Sequence, residues 1–271
     1  MRGQPAEAFR AIERAREHFN RARAADGAVC AAVFAGLAWT DDGRLREAEA
    51  ALRATRIAAV ELSQPLLDRF AGLALARCLY WQNRLGEARD CLGPTGAACG
   101  GARDTAADPL AATWARLGLE TCARERLQGA RLPPSDVAVM LGAWAPGAIG
   151  LDLARDCLAS RIALAAGDLA GAGRAAAEAR ERAAQSANPT ERAAACLVRA
   201  LVFGALADVS SVRSVVDEGL DAARSAHAPL RALRLRVALA ETLQRAGRSA
   251  EAAALVARLA RINRARVPKI V

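Results

Sequence analysis

The sequence predicts an all-α protein built from about six helical hairpins laid one after another, and three observations carry that reading. The first is composition. Apolar residues make up 53% of the chain, with Ala dominant among them, while aromatics reach only 4%. Ala is the best helix former and its small side chain lets helices approach closely. Val, Ile and Thr, which strands favour, are sparse.

The second observation is a recurring turn phrase: Gly43-Arg-Leu-Arg-Glu-Ala48, Asn83-Arg-Leu-Gly-Glu-Ala88, Glu125-Arg-Leu-Gln-Gly-Ala130, Gly167-Asp-Leu-Ala-Gly-Ala172, Ala207-Asp-Val-Ser-Ser-Val212 and Gly247-Arg-Ser-Ala-Glu-Ala252. Its starts are 40, 42, 42, 40 and 40 residues apart. The third lies seven residues before each start, where Gly36, Ala76, Gly118, Ser160, Ala200 and Ala240 are all small. A helix commonly ends at a residue that tolerates the left-handed conformation, and the next helix begins a few residues later. A small residue on the first helix then lets the two axes come together. One hairpin cannot bury its own apolar face, so successive hairpins must stack.

Taken in order, residues 4–24 form a leading helix that ends at Asp26-Gly27, and the first hairpin occupies about 28–66. Ser63 is placed to cap the next helix, with Pro65 in its first turn, where a missing N–H costs nothing. The second hairpin covers about 67–93. The Gly- and Pro-containing stretch 93–109 reads as a loop. The third unit, about 109–144, is irregular: a helix over 110–127, then Pro133-Pro134, which stop any helix, and Ser135 or Asp136 to cap a short one. Units at about 150–187, 190–226 and 229–264 follow, separated by "SANPTE", where Thr190 and Glu191 open a helix, and by "SAHAP". Counting 40 back from Gly43 lands on Gly3, so the chain opens in the turn of a unit without its first helix. Two readings stay open there: a solitary capping helix, or a piece of a longer protein.

The small residue followed by Gly-x-Leu-x-x-Ala, carried here by Gly36, Gly43, Leu45 and Ala48 with Trp39 between the helices, resembles the tetratricopeptide repeat. The resemblance extends over nearly the whole chain, although the family period is 34 and the period here is about 41. Longer helices of this style are similar to the helical repeat regions of large bacterial transcription activators, among them LuxR-type ATPases. The resemblance implies a right-handed α-α superhelix over 1–271, a non-catalytic protein-interaction scaffold in a signalling or transcription regulator, and a concave face lined by the first helices of successive hairpins. Carried over position by position, that face holds Phe70, Leu73, Arg77 and Tyr80; then Cys157, Arg161 and Leu164; then Arg234, Val237, Glu241 and Gln244. Arg77, Arg161 and Arg234 recur at related positions. An Arg fork takes a carboxylate in two-point contact, so the implied partner is a protein or peptide with an acidic segment. The competing reading is that these Arg pair with neighbouring acids.

Catalytic and metal motifs do not emerge. His18 and His227 stand apart from any metal-spaced Cys, Asp or Glu, and HExxH and CxxC are absent. The seven Cys, at 30, 78, 91, 99, 122, 157 and 196, fall mostly in helical patterns and read as small buried hydrophobes. The Gly-rich 93–101 has neither the Lys-Ser/Thr pair nor the preceding strand of a phosphate loop, and 142–150 fails in the same way. Asp41-Asp42 and the acids at 217, 218 and 221 read as solvated surface. No cofactor, metal or catalytic residue is therefore expected. No run approaches the roughly 20 apolar residues of a membrane span, and a cytoplasmic address is expected.

The net charge of +9 sits at one end. Residues 1–223 carry 27 Arg against 27 acids; residues 224–271 carry ten Arg and Lys269 against Glu241 and Glu251. Nucleic-acid binding through 224–271 is one alternative function, with Arg258, Arg261, Arg264, Arg266 and Lys269 on phosphates; an enzyme with an unfamiliar site, which would need a cluster of titratable groups in a pocket, is the other. Against the nucleic-acid reading, no aromatic follows Phe203 to provide a stacking platform. The skew of 37 Arg to one Lys in an Ala- and Gly-rich chain is also the mark of GC-rich coding.

Overall fold

The computed structural model describes residues 5–92, 117–118, 120–121, 124–125 and 152–266. The loop 93–109, most of the third unit, the Gly142–Gly150 stretch, Cys99, Cys122 and Lys269 lie outside them, as do the side chains of Arg264 and Arg266. Every described element is a helix: α1 Pro5–Arg21, α2 Ala25–Asp42, α3 Leu45–Glu61, α4 Pro65–Trp81, α5 Leu85–Leu92, α6 Asp152–Ala165, α7 Leu169–Gln185, α8 Pro189–Ala205, α9 Val209–Ser225, α10 Pro229–Arg245 and α11 Ser249–Arg266. The chain divides into two compact units, Met1–Asp152 and Leu153–Val271. Within each, helices adjacent in sequence pack together, and alternate ones also touch, as in α2 with α4 and α8 with α10. This is the arrangement of an all-α helical repeat.

The rhythm is stricter than the sequence suggests. Helices α1, α3, α4, α7, α8, α9 and α10 are each 17 residues long. Five turn starts named from sequence adopt the left-handed conformation: Gly43 at φ +84°, Asn83 +66°, Gly167 +80°, Ala207 +55° and Gly247 +75°. The turns between hairpins repeat it at Arg23, Ser63 and His227, with φ of +54°, +54° and +48°. Left-handed residues thus recur every 20 positions over 23–83 and again over 207–247, and the forty-residue period is two such steps.

Each turn closes with the same pair of hydrogen bonds. The Gly43 N–H donates to the Thr40 carbonyl (3.1 Å) and the Arg44 N–H to the Trp39 carbonyl (2.9 Å), satisfying two carbonyls left free at the helix end. The pattern recurs at Asn83, Gly167, Ala207, Gly247, Arg23, Ser63 and His227. The turn after α7 departs from it. Ser186 is extended, its hydroxyl accepts from the Asn188 N–H, and Asn188 caps α8 by accepting from the Thr190 N–H.

Two sequence readings are corrected here. Ser63 does not cap α4: it is the left-handed residue ending α3, and the cap position belongs to Gln64, which makes no side-chain capping bond. Glu125 does not start a turn: it is helical and buried, its carboxylate taking Arg89 at 3.2 Å, in keeping with the helix read over 110–127.

A left-handed Ala costs about 1–2 kcal/mol relative to ordinary helix geometry, and Gly escapes that penalty. Ala207→Gly is accordingly expected to stabilise the chain by about 1 kcal/mol, and Gly247→Ala to destabilise it by a similar amount. Paired urea titrations check both.

Both small-residue registers are buried. Gly36, Ala76, Gly118, Ser160, Ala200 and Ala240 face the interior, as do Ala48, Ala88, Ala172, Val212 and Ala252. They meet directly in one hairpin, where the Ser160 hydroxyl donates to the Ala172 carbonyl at 3.0 Å. Each unit has its own core. Leu52, Leu75, Leu79, Tyr80 and Leu92 anchor that of α2–α5; Ala172, Ala176, Val198, Val212, Val216 and Leu235 fill those of α6–α10.

Candidate partner-binding face

The first helices of the hairpins are α2, α4, α6, α8 and α10, and the strip they line was read from sequence as the binding face. Between α2 and α4 the structure assembles three contacts in a row. The Gln64 amide donates to Asp26 (3.3 Å) at one end. The rings of Phe34 and Phe70 meet edge to face in the middle, centroids 5.5 Å apart at 69°. The Arg77 guanidinium donates to Asp41 (2.5 Å) at the other end. Leu66, one turn before Phe70, is exposed, as is Phe34, so the centre of the strip is apolar and open.

Phe70 and Arg77 were named from sequence; Phe34 and Asp41 were not. Subtracting the forty-residue period from 70 and 77 gives Cys30 and Leu37. The residues that meet them sit one helical turn further along, at an offset of 36. Neighbouring helices contact through surface rows displaced by a turn, so the repeat-equivalent residue is not the one that touches. That one-turn correction is the signal that finds Phe34 and Asp41.

Other residues carried over from the resemblance lie elsewhere. Leu73 and Tyr80 are buried in the core of the first unit and offer no surface to a partner. The Tyr80 ring packs edge-on to Trp81 and lies beneath the Arg124 guanidinium, which also donates to the Tyr80 carbonyl at 2.8 Å. In the second unit Cys157 and Arg161 are buried, and Leu164 packs half-buried on the α6–α7 core. Arg234 is half-buried, while Val237, Glu241 and Gln244 on α10 are exposed. Glu241 pairs with Arg245 at 3.7 Å, and Arg245 also donates to the Gly204 carbonyl at the end of α8 (3.0 Å). Of the three recurring Arg, Arg77 is engaged by Asp41 and Arg161 is internal.

The second helices carry a charge network. The cap position of α3, α5 and α11 is Arg44, Arg84 or Arg248, and each pairs with a Glu three residues on: Glu47, Glu87 or Glu251. An Arg cannot accept from the free N–H groups, whereas a carboxylate in the first turn is favoured by the helix dipole. Where the cap is Asp168 or Asp208, the carboxylate accepts directly from the N–H of Gly171 or Ser211. Pairs also bridge successive second helices: Glu49 with Arg84 (2.7 Å), Arg53 with Glu87 (3.4 Å) and Arg213 with Glu251 (2.7 Å). Burial pulls the Glu49 carboxyl upward, but hydrogen bonds from Gln82, Arg53 and Arg84 outweigh it and hold it below its usual range. Glu87 is lowered first by Arg84, and Glu251 first by Arg248.

Those directions fix the pH response. A carboxyl lowered on folding adds stability above its unfolded value of 4.5, and that stability is lost as pH falls through the folded value. The urea midpoint is expected to drop between pH 5 and pH 3. The drop should shrink in the triple variant Glu49→Gln, Glu87→Gln, Glu251→Gln.

Five free Cys are described, and burial pushes Cys78 and Cys91 upward and Cys196 up to about 12, away from thiolate chemistry. Among the described residues no three His, Cys, Asp or Glu converge as a metal site, and no helix is long and apolar enough to cross a membrane. No family model matches the chain, and no curated protein or solved structure matches it.

Proposed function

We propose that this chain is a non-catalytic protein-interaction scaffold of tetratricopeptide-like type, the helical repeat region of a bacterial signalling or transcription regulator working in the cytoplasm. The observation that carries the reading is the exposed Phe34 ring set edge-on to the half-buried Phe70, with the exposed Leu66 a turn before it, bordered by the Asp41–Arg77 pair. Single exposed apolar residues are ordinary, but a cluster of large ones rimmed by polar groups marks a contact site. A partner segment sets an apolar side chain between the rings, and its own carboxylate competes with Asp41 for the second edge of the Arg77 fork.

The test is a selection of peptides from a random display library on the full chain. Recovered sequences should join an acidic residue to a large apolar one. The Phe34→Glu, Leu66→Glu double variant, which changes only exposed side chains, should bind them at least tenfold more weakly with its melting curve retained. Ile57→Glu, on the exposed side of α3, should bind as wild type. Peptides that bind the double variant unchanged contradict the proposal.

A further inference from the structure

The second helices α3, α7 and α9 each keep one side clear of their neighbours. Ten, thirteen and sixteen positions beyond the cap, α7 has Glu178, Glu181 and Ala184, and α9 has Glu218, Asp221 and Arg224, all exposed. In α11 the first two of these positions are Arg258 and Arg261, also exposed. Charge there is the ordinary state of a solvated helix face. In α3 the same three positions are Ala54, Ile57 and Val60. All three are exposed, Ile57 at 62% and Val60 at 64%. Helix α9 packs on α8 before it and α10 after it and still exposes this side, so the stacking of further hairpins does not cover it. The apolar stripe on α3 therefore belongs to the outside of the array rather than to one of its ends.

Opposite charges bound the stripe at equal distances. Arg53 lies four residues before Ile57 and Glu61 four residues after it, about 6 Å along the helix axis in each direction. Both are exposed. Arg53 is held by Glu49 (2.9 Å) and Glu87 (3.4 Å), while Glu61 has no hydrogen bond or ion pair among the described residues. We propose that this stripe is a homodimer contact, distinct from the strip between α2 and α4, and that its occupant is the α3 of a second copy of the chain, crossing antiparallel about a two-fold axis at Ile57. A two-fold contact uses one patch on both copies, so the patch must complement itself. Here Ile57 meets Ile57, and Arg53 of each copy comes level with Glu61 of the other. A guanidinium carries several N–H donors in a fixed fork, so Arg53 takes that carboxylate without releasing Glu49 or Glu87. Ala54 and Val60 fill the flanks. Parallel helices would instead set Arg53 against Arg53 and Glu61 against Glu61. The contact is one helix pair wide, well below the roughly 1,600 Å² of a tight complex, so the dimer is weak and reversible.

The experiment is sedimentation velocity on the full chain, from micromolar to near-millimolar concentration. The weight-average sedimentation coefficient should rise from the monomer value toward the dimer value and fall again on dilution. Ile57→Glu should weaken association at least tenfold with the melting curve unchanged, because Ile57 is already open to solvent. Glu61→Gln should weaken it several-fold, since each copy then loses a carboxylate opposite Arg53. Leu206→Glu, at an exposed leucine of the second unit, should have no effect. A chain that stays monomeric throughout, a dimer that Ile57→Glu leaves intact, or a dimer that Glu61→Gln tightens overturns the proposal; the last would mean that Glu61 faces its own copy. None of these results bears on peptide binding between α2 and α4.

Discussion

Leu52→Ala is expected to destabilise the first unit by about 3 kcal/mol, and Gly36→Ala, made alongside it, to recover at least about 1 kcal/mol of that loss. Leu52 is fully buried at the crossing of α2 and α3. Truncation removes its transfer free energy and leaves a cavity that the surrounding helices fill only in part. Gly36 stands opposite. A Cβ built there would lie 2.5 Å from Leu52 Cγ, so Gly36→Ala alone must push the leucine off its seat. That overpacking costs about 1–3 kcal/mol, offset by about 1 kcal/mol from replacing a mid-helix Gly. In the double variant the new methyl occupies vacated space and the helix gain remains. A double-mutant cycle by urea unfolding should therefore show the combined cost below the sum. Strict additivity would mean that the two side chains do not meet.

The second large effect is Tyr80→Ala, expected to cost about 4 kcal/mol, against less than about 1.5 kcal/mol for Tyr80→Phe. The ring is 1% exposed, packs against Trp81 and supports the Arg124 guanidinium 5.2 Å above it. Thermal melts of the two variants separate this account from the sequence reading of Tyr80 as a contact residue. A contact residue on an open face would lower affinity and leave the melting temperature alone. A core residue lowers the melting temperature first.

The contrast shows what one-dimensional information carries. The positions of turns were legible because a helix end needs a residue that tolerates positive φ, and that requirement is local. Gly43, Gly167 and Gly247 advertise it by type, whereas Asn83 and Ala207 were found by spacing. The small-residue register was legible because close helix approach excludes large side chains at a fixed distance from the turn. At Glu125 the register failed: Glu-Arg-Leu matches the phrase, but Glu125 lies within a helix and its buried carboxylate takes Arg89. Ser63 misled for a related reason: Ser is a favoured cap, but the twenty-residue step places the left-handed residue on it and moves the cap to Gln64. The strip between α2 and α4 was half legible. Phe70 and Arg77 follow from the position of α4 within its hairpin, while Phe34 and Asp41 depend on how far one helix slides along the next, which no single helix encodes. Tyr80 and Leu73 were misplaced because α4 is buried around most of its circumference, a helix packed on α2, α3 and α5 at once. Arg at the caps of α3, α5 and α11 also escaped sequence rules, since its role there depends on a Glu one turn on and on acids of the neighbouring hairpin.

The central claim is that the helices, seven of the described ones 17 residues long, stack in chain order within each unit, each touching only its near neighbours in sequence. Long-range nuclear Overhauser contacts from methyl and aromatic protons, measured on the full chain in solution, test it most directly. The account predicts contacts between Phe34 and Phe70 in one unit, and between Val216 and the pair Leu235 and Ala238 in the other. It also predicts no contact within a unit between α1 and α4 or between α7 and α10. Strong contacts of that second kind would place the helices around a shared centre and contradict the stacked arrangement.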